Sequence, residues 1–136
     1  MTEIKKITKI SILLYGIVSL IFAVLLIFVT DFFLAALNMP TWQNPLHPRM
    51  FGGALFTVVI FALLVLLNKD WDWEKIKLAY EVLYLWLLIN IIVEGSMVAF
   101  YGSVFSPELV TQLIMDVIIM SVLLVLGIYS YMKQRG

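Results

Sequence analysis

Four apolar runs, separated by short polar stretches, organise this chain. The first extends from Ile10 to Val29 and stops at Asp31, and the second from Met50 to Leu67, stopping at Asn68-Lys69-Asp70. A third reaches from Leu78 to Phe100, interrupted by Glu81, Asn90 and Glu94; a fourth covers Leu109 to Tyr131 with Asp116 inside it. None shows the alternation of a half-buried strand. A helix rises ~1.5 Å per residue and the hydrocarbon core is ~30 Å thick, so each run suits one helical crossing. Backbone amides cannot stay unpaired in lipid, which leaves helices as the only form for such runs. The pattern predicts an all-α integral membrane four-helix bundle, one domain over 1–136. Its spans fall near 10–30, 49–68, 77–100 and 108–131, with one long loop at 31–48.

Local chemistry supports the boundaries. Ser106-Pro107-Glu108 reads as an N-cap, a proline at the first helical position and an acid beside the positive helix end. Asp72 can cap the third span, with Glu74 in its first turn, and Pro48 can open the second. Pro40, Pro45 and Pro48 break the 31–48 connection too often for a long helix, although Phe32–Asn38 can form a short interfacial turn.

Composition narrows the class further. The chain is 63% hydrophobic and 13% charged, far from the balance of a soluble domain. Nine Lys+Arg offset nine Asp+Glu, so there is no basic excess for nucleic acid. With no Cys and one His, a thiolate or imidazole metal centre and a cysteine nucleophile are not expected. Placing the N-terminus in the cytoplasm puts Lys5, Lys6, Lys9, Lys69, Lys75, Lys77, Lys133 and Arg135 on the inner side and only Arg49 outside. That is the positive-inside bias, so both termini are expected to be cytoplasmic in a prokaryotic plasma membrane. Trp71 and Trp73 would then join the inner aromatic belt, Trp42 and Tyr101 the outer one. The first apolar run is about twice the length of a signal-peptide core and lacks a small-x-small site before Asp31, which favours a retained span.

Ionisable groups inside a span cost ~2.5–3.5 kcal/mol on insertion scales, so each requires a reason. Glu94 lies 17 residues beyond Lys77 and Asp116 ten residues beyond Ser106. At ~1.5 Å per residue both fall in the outer half of the bundle. Asn90, Glu94 and Tyr101 share one side of the third helix; Glu108, Gln112 and Asp116 share one side of the fourth. If these faces meet, Arg49, Asn90, Glu94, Gln112 and Asp116 form a polar pocket rimmed by His47, Tyr101 and Glu108. Two readings then stand side by side. Arg49 can pair with one acid to lock the second helix, while Asn90 and Gln112 make interhelical hydrogen bonds worth ~0.6 kcal/mol each. Alternatively the cluster is a ligand or ion site, since one arginine against two acids leaves a carboxyl that must be protonated, hydrated or bound. Glu81 is simpler, because Lys77 precedes it by four residues on the same face. Trp86 falls near mid-bilayer, where packing against another span accommodates it. Ser11, Tyr15, Gly16, Ser19 and Ala23 stripe the first helix, and Gly53/Thr57 and Gly95/Ala99 have the small-xxx-small spacing of close helix contacts.

Asn44-Pro45-Leu46-His47-Pro48-Arg49-Met50-Phe51-Gly52-Gly53-Ala54-Leu55, followed by Trp73-Glu74-Lys75-Ile76-Lys77-Leu78, resembles small four-span prokaryotic proteins of the DoxX-like and DUF4345-like type. The resemblance covers residues 44–94 and implies topology more than activity. Some DoxX-type chains look like accessory subunits of quinone-linked oxidoreductases, yet no motif here carries over a catalytic or quinone-binding residue. The lone glutamate that small multidrug transporters place in their first span is absent, as are nucleotide-binding and zinc-protease motifs.

Three functions are weighed. The first is a non-enzymatic accessory subunit or binder of a lipid, quinone or other small molecule, with the outer polar pocket as its site, alone or in a larger membrane complex. The second is a proton- or cation-coupled transporter or channel acting as a homo-oligomer. The third and last is an intramembrane enzyme, for which the two acids could hold a divalent ion or share a proton, while His47, the one imidazole, sits in a loop. No catalytic residue, metal ligand or cofactor is assigned.

Overall fold

The structure, a computed structural model, describes residues 2–39 and 46–136, Leu46 by its backbone only. Trp42 and the prolines Pro40 and Pro45 lie outside the described residues. Five helices follow in order: α1 (Lys6–Phe28), α2 (Thr30–Ala36), α3 (Leu46–Leu67), α4 (Trp73–Tyr101) and α5 (Pro107–Arg135). All but α2 are long and apolar enough to cross a membrane. The all-α expectation holds, and no strand occurs among the described residues.

Each long helix overruns its apolar run, because caps and flanking charges extend it. Asp72 accepts a hydrogen bond from the Lys75 amide at 3.1 Å, so α4 starts at Trp73 rather than at Leu78. Ser106 accepts from the Leu109 amide at 3.2 Å, with Pro107 opening α5 and Glu108 in its first turn. Lys133 and Arg135 occupy the last turn of α5, against the negative helix end. Pro48 stands in the first turn of α3, where its missing amide hydrogen removes no intrahelical bond. The short turn expected near 32–38 is α2, which ends at Ala36 and is followed by a turn through Leu37 and Asn38, the latter a residue tolerant of its left-handed φ of 51°.

Close packing joins α1 to α3 and α4 to α5, and α1 links the two pairs by resting on α5. The α1 stripe supplies the first contact: Ser11, Tyr15, Gly16, Ser19 and Ala23 are buried. At Gly16 the helices approach until an added Cβ would lie 2.7 Å from that of Ala62. Gly127 of α5 lies beneath the Tyr84 ring, where a Cβ would be 2.0 Å from a ring carbon. The other small pairs point elsewhere. Among the described residues nothing lies within 4 Å of a Cβ built on Gly53 or Gly95, and Thr57 and Ala99 are exposed.

The end of the bundle holding the chain termini is closed by polar side chains. Gln134, 3% exposed, accepts from the Lys5 amide at 2.8 Å and from the Thr8 hydroxyl at 3.0 Å, and donates to the Glu3 carbonyl at 2.8 Å. The Trp73 amide donates to the Thr2 carbonyl at 2.9 Å. Trp73 itself is 3% exposed, edge-on to Tyr80 and Tyr131 with centroids 5.4 and 5.7 Å away, so its ring belongs to the core and not to a lipid-facing belt.

Candidate functional site

Toward the opposite end, side chains of the four long helices line a cavity with about 70 Å³ open to the centre of a water molecule. That is several times the minimum for one water, roughly 10–15 Å³ on the same measure. Tyr15, Val18, Ser19 and Phe22 come from α1, Phe51 and Leu55 from α3, Trp86, Leu87, Asn90 and Glu94 from α4, and Asp116, Ile119, Met120 and Leu123 from α5. Most of this wall is aliphatic or aromatic, and Phe51 and Trp86 pack with ring centroids 5.9 Å apart.

Of the residues singled out from the sequence, Asn90, Glu94 and Asp116 line this one cavity. Spacing explains the α4 face, since Asn90 and Glu94 are one turn apart with Trp86 a turn earlier. The Asn90 amide donates to the Trp86 carbonyl at 2.8 Å, closing onto its own helix instead of bridging to another. Asp116 accepts from the Gln112 amide at 2.7 Å, an i, i+4 pair on α5. Gln112 thereby orients Asp116, while its own side chain lies on an outer groove with Pro107, Glu108, Thr111 and Met115.

Arg49 is exposed and is not among the lining residues. The cause is helical phase: Phe51 and Leu55 face the cavity, and Arg49 stands two residues before Phe51, about 200° around α3. Among the described residues neither Glu94 nor Asp116 has an ion-pair partner, and the charge nearest Glu94 is Asp116. His47, Tyr101 and Glu108 are exposed at this end of the bundle. Glu81 takes a hydrogen bond from the Tyr131 hydroxyl of α5 at 2.6 Å, and no ion pair with Lys77 forms among the described residues. Reach across the α4–α5 contact supplies a neutral partner where helix spacing suggested a charged one.

Two buried polar atoms have no hydrogen-bond partner among the described residues: Glu94 Oε2 and Ser19 Oγ. Both belong to cavity-lining residues. Ser19 is 2% exposed, and a helical serine ordinarily donates back to the carbonyl four residues earlier. Here that bond is not made. Sequence reasoning treated Ser19 as a small contact residue; the available signal was the repeat Ser11, Tyr15, Ser19, which puts three hydroxyls on one face of α1.

A second polar cluster contains hydroxyls and no charge. Tyr84 bonds to Ser11, and Tyr80 bonds to Ser130 and donates to the Gly127 carbonyl at 2.8 Å. Every hydroxyl there is partnered, which marks it as packing between the cavity and the terminal end.

Chemically, the cavity offers acceptors without a basic partner, inside an aromatic and aliphatic wall. No group of three His, Asp or Glu residues stands close enough to hold a metal ion among the described residues. No family model, curated protein or solved structure matches this chain, so the reading rests on its own geometry.

Proposed function

We propose that this multi-pass membrane protein is a non-enzymatic binder of a small, largely apolar molecule, held inside the bundle with one polar end at Glu94 and Ser19. Asp116, oriented by Gln112, completes the polar floor, and Trp86, Phe51 and Phe22 form the walls. Both termini face the cytoplasm on this reading, as the basic residues favour. The observation that carries it is the pair of buried, unpartnered atoms on one cavity, Ser19 Oγ and Glu94 Oε2. Leaving a buried polar group unsatisfied costs ~1–3 kcal/mol, and a bound molecule or ordered water removes that cost. Catalysis has little to draw on, because the cavity holds no imidazole or thiol. A transport cycle would need a polar route to the terminal end, and the hydroxyls on that side already bond to one another in the Tyr80–Ser130 and Tyr84–Ser11 pairs.

Native mass spectrometry of the protein, purified from its own membrane into lipid nanodiscs, tests this. A one-to-one small-molecule adduct is expected, lost when the cavity is filled by Ile119→Trp and kept in Thr111→Val, which alters an exposed site. An adduct that survives cavity filling, or none from the native membrane, contradicts the reading.

A further inference from the structure

The ligand class follows from what surrounds the two unpartnered atoms. Both cavity carboxyls lack a basic neighbour among the described residues, and Arg49 points away. An acidic pair alone would not define a site. Here it coincides with Ser19, 2% exposed, unpartnered and on the same cavity wall from another helix. Rings from three helices complete the enclosure: Tyr15 and Phe22 of α1, Phe51 of α3 and Trp86 of α4. Aromatic faces attract cations by their quadrupole, most strongly when water is excluded, and a carboxylate adds direct charge complementarity.

We propose that the cavity selects an apolar organic monocation, an ammonium-type head carried on a hydrocarbon or aromatic body, over a neutral molecule of the same shape. This rests on the binder reading above and specifies its ligand. A bare divalent ion is a poorer match, since among the described residues no group of three acidic or imidazole side chains stands close enough to hold a metal ion. An anionic headgroup would face acids with no cation to meet it. A monocation satisfies the carboxyl of Glu94, lies against the rings, and leaves its apolar remainder to the aliphatic side chains of Leu55, Leu87 and Leu123.

Phenyltrimethylammonium and tert-butylbenzene share a shape and differ in charge, and both can be titrated calorimetrically into the full-length protein in nanodiscs, with empty discs subtracted. The cation is expected to bind about tenfold or more tightly than the hydrocarbon, as desolvated cation–π and charge terms require. Glu94→Gln, which keeps the side-chain shape, should cut that preference about threefold or more, the rings and Asp116 retaining the rest, and leave the hydrocarbon's affinity unchanged within about twofold. Ser19→Ala serves as a second variant that removes a donor–acceptor without adding bulk, and Glu108→Gln, an exposed acid on α5, should change neither affinity. Equal affinities, a hydrocarbon preference, or a cation preference undiminished in Glu94→Gln overturns the proposal. Failure of both probes to bind overturns it as well. The binder reading falls only with the adduct experiment, so the two failures are distinguishable.

Discussion

Ser19 and Ser130 show how differently one residue type behaves in this bundle. The Ser130 hydroxyl lies within hydrogen-bond distance of both Tyr80 and, at 3.0 Å, the Gly127 carbonyl, whereas Ser19 is similarly buried with no partner among the described residues. Ser130→Ala should therefore destabilise the protein by ~0.6–1.7 kcal/mol, the range of membrane hydrogen bonds, measured by reversible unfolding in mixed micelles. Ser19→Ala should be neutral or stabilising in the ligand-free protein, because it deletes an unsatisfied group rather than a bond. A loss at Ser19 as large as at Ser130 would mean that its hydroxyl is engaged by protein. Acids and amides were legible at this scale: Asn90, Glu94 and Asp116 stood out as costly within apolar runs, and they line one cavity. Hydroxyls were not, since a serine in a span reads as easily as a small packing residue. Arg49 was misplaced for a related reason. Its depth could be counted along the chain, but its phase depends on which face of α3 turns inward, and α3 is apolar almost all round.

Helix existence followed directly from run length, while helix pairing did not. A span that is apolar on every side carries no stripe to say which face meets protein and which meets lipid. Only close contacts reveal that, and they fall at Gly16, Gly52 and Gly127 rather than at Gly53 and Gly95. Gly127→Ala should cost ~1–3 kcal/mol by driving a methyl group into the Tyr84 ring, whereas Gly95→Ala should leave the unfolding midpoint unchanged. Equal effects would refute the α4–α5 packing described. The caps were legible because they are local. Asp72→Ala should lower stability by ~0.5–2 kcal/mol through the lost bond to the Lys75 amide, and Asp72→Asn should retain most of it. The Gln134 closure of the terminal end joins residues more than 120 positions apart, and no local pattern announces it.

At the scale of the molecule, the bundle divides into a terminal half with satisfied polar groups and an opposite half with an unsatisfied cavity. The absence of cysteine in the sequence makes topology directly measurable. Single cysteines at Glu3, Asn68 and Gly136 should react with an impermeant maleimide from one side of the membrane, and those at Asn38 and Ser103 from the other. With the basic residues inside, the first group is expected to be cytoplasmic. Labelling of Asn38 and Asn68 from the same side would break the four-span arrangement. The proposed reading makes one narrower demand: a bound molecule must meet the unpartnered oxygens of Glu94 and Ser19, two residues that line one cavity. A density map of the protein in lipid nanodiscs, sharp enough to show ordered waters, tests it most directly. Non-protein density within hydrogen-bond distance of both Ser19 Oγ and Glu94 Oε2 is the predicted result. A collapsed cavity in which both atoms find protein partners would contradict the account.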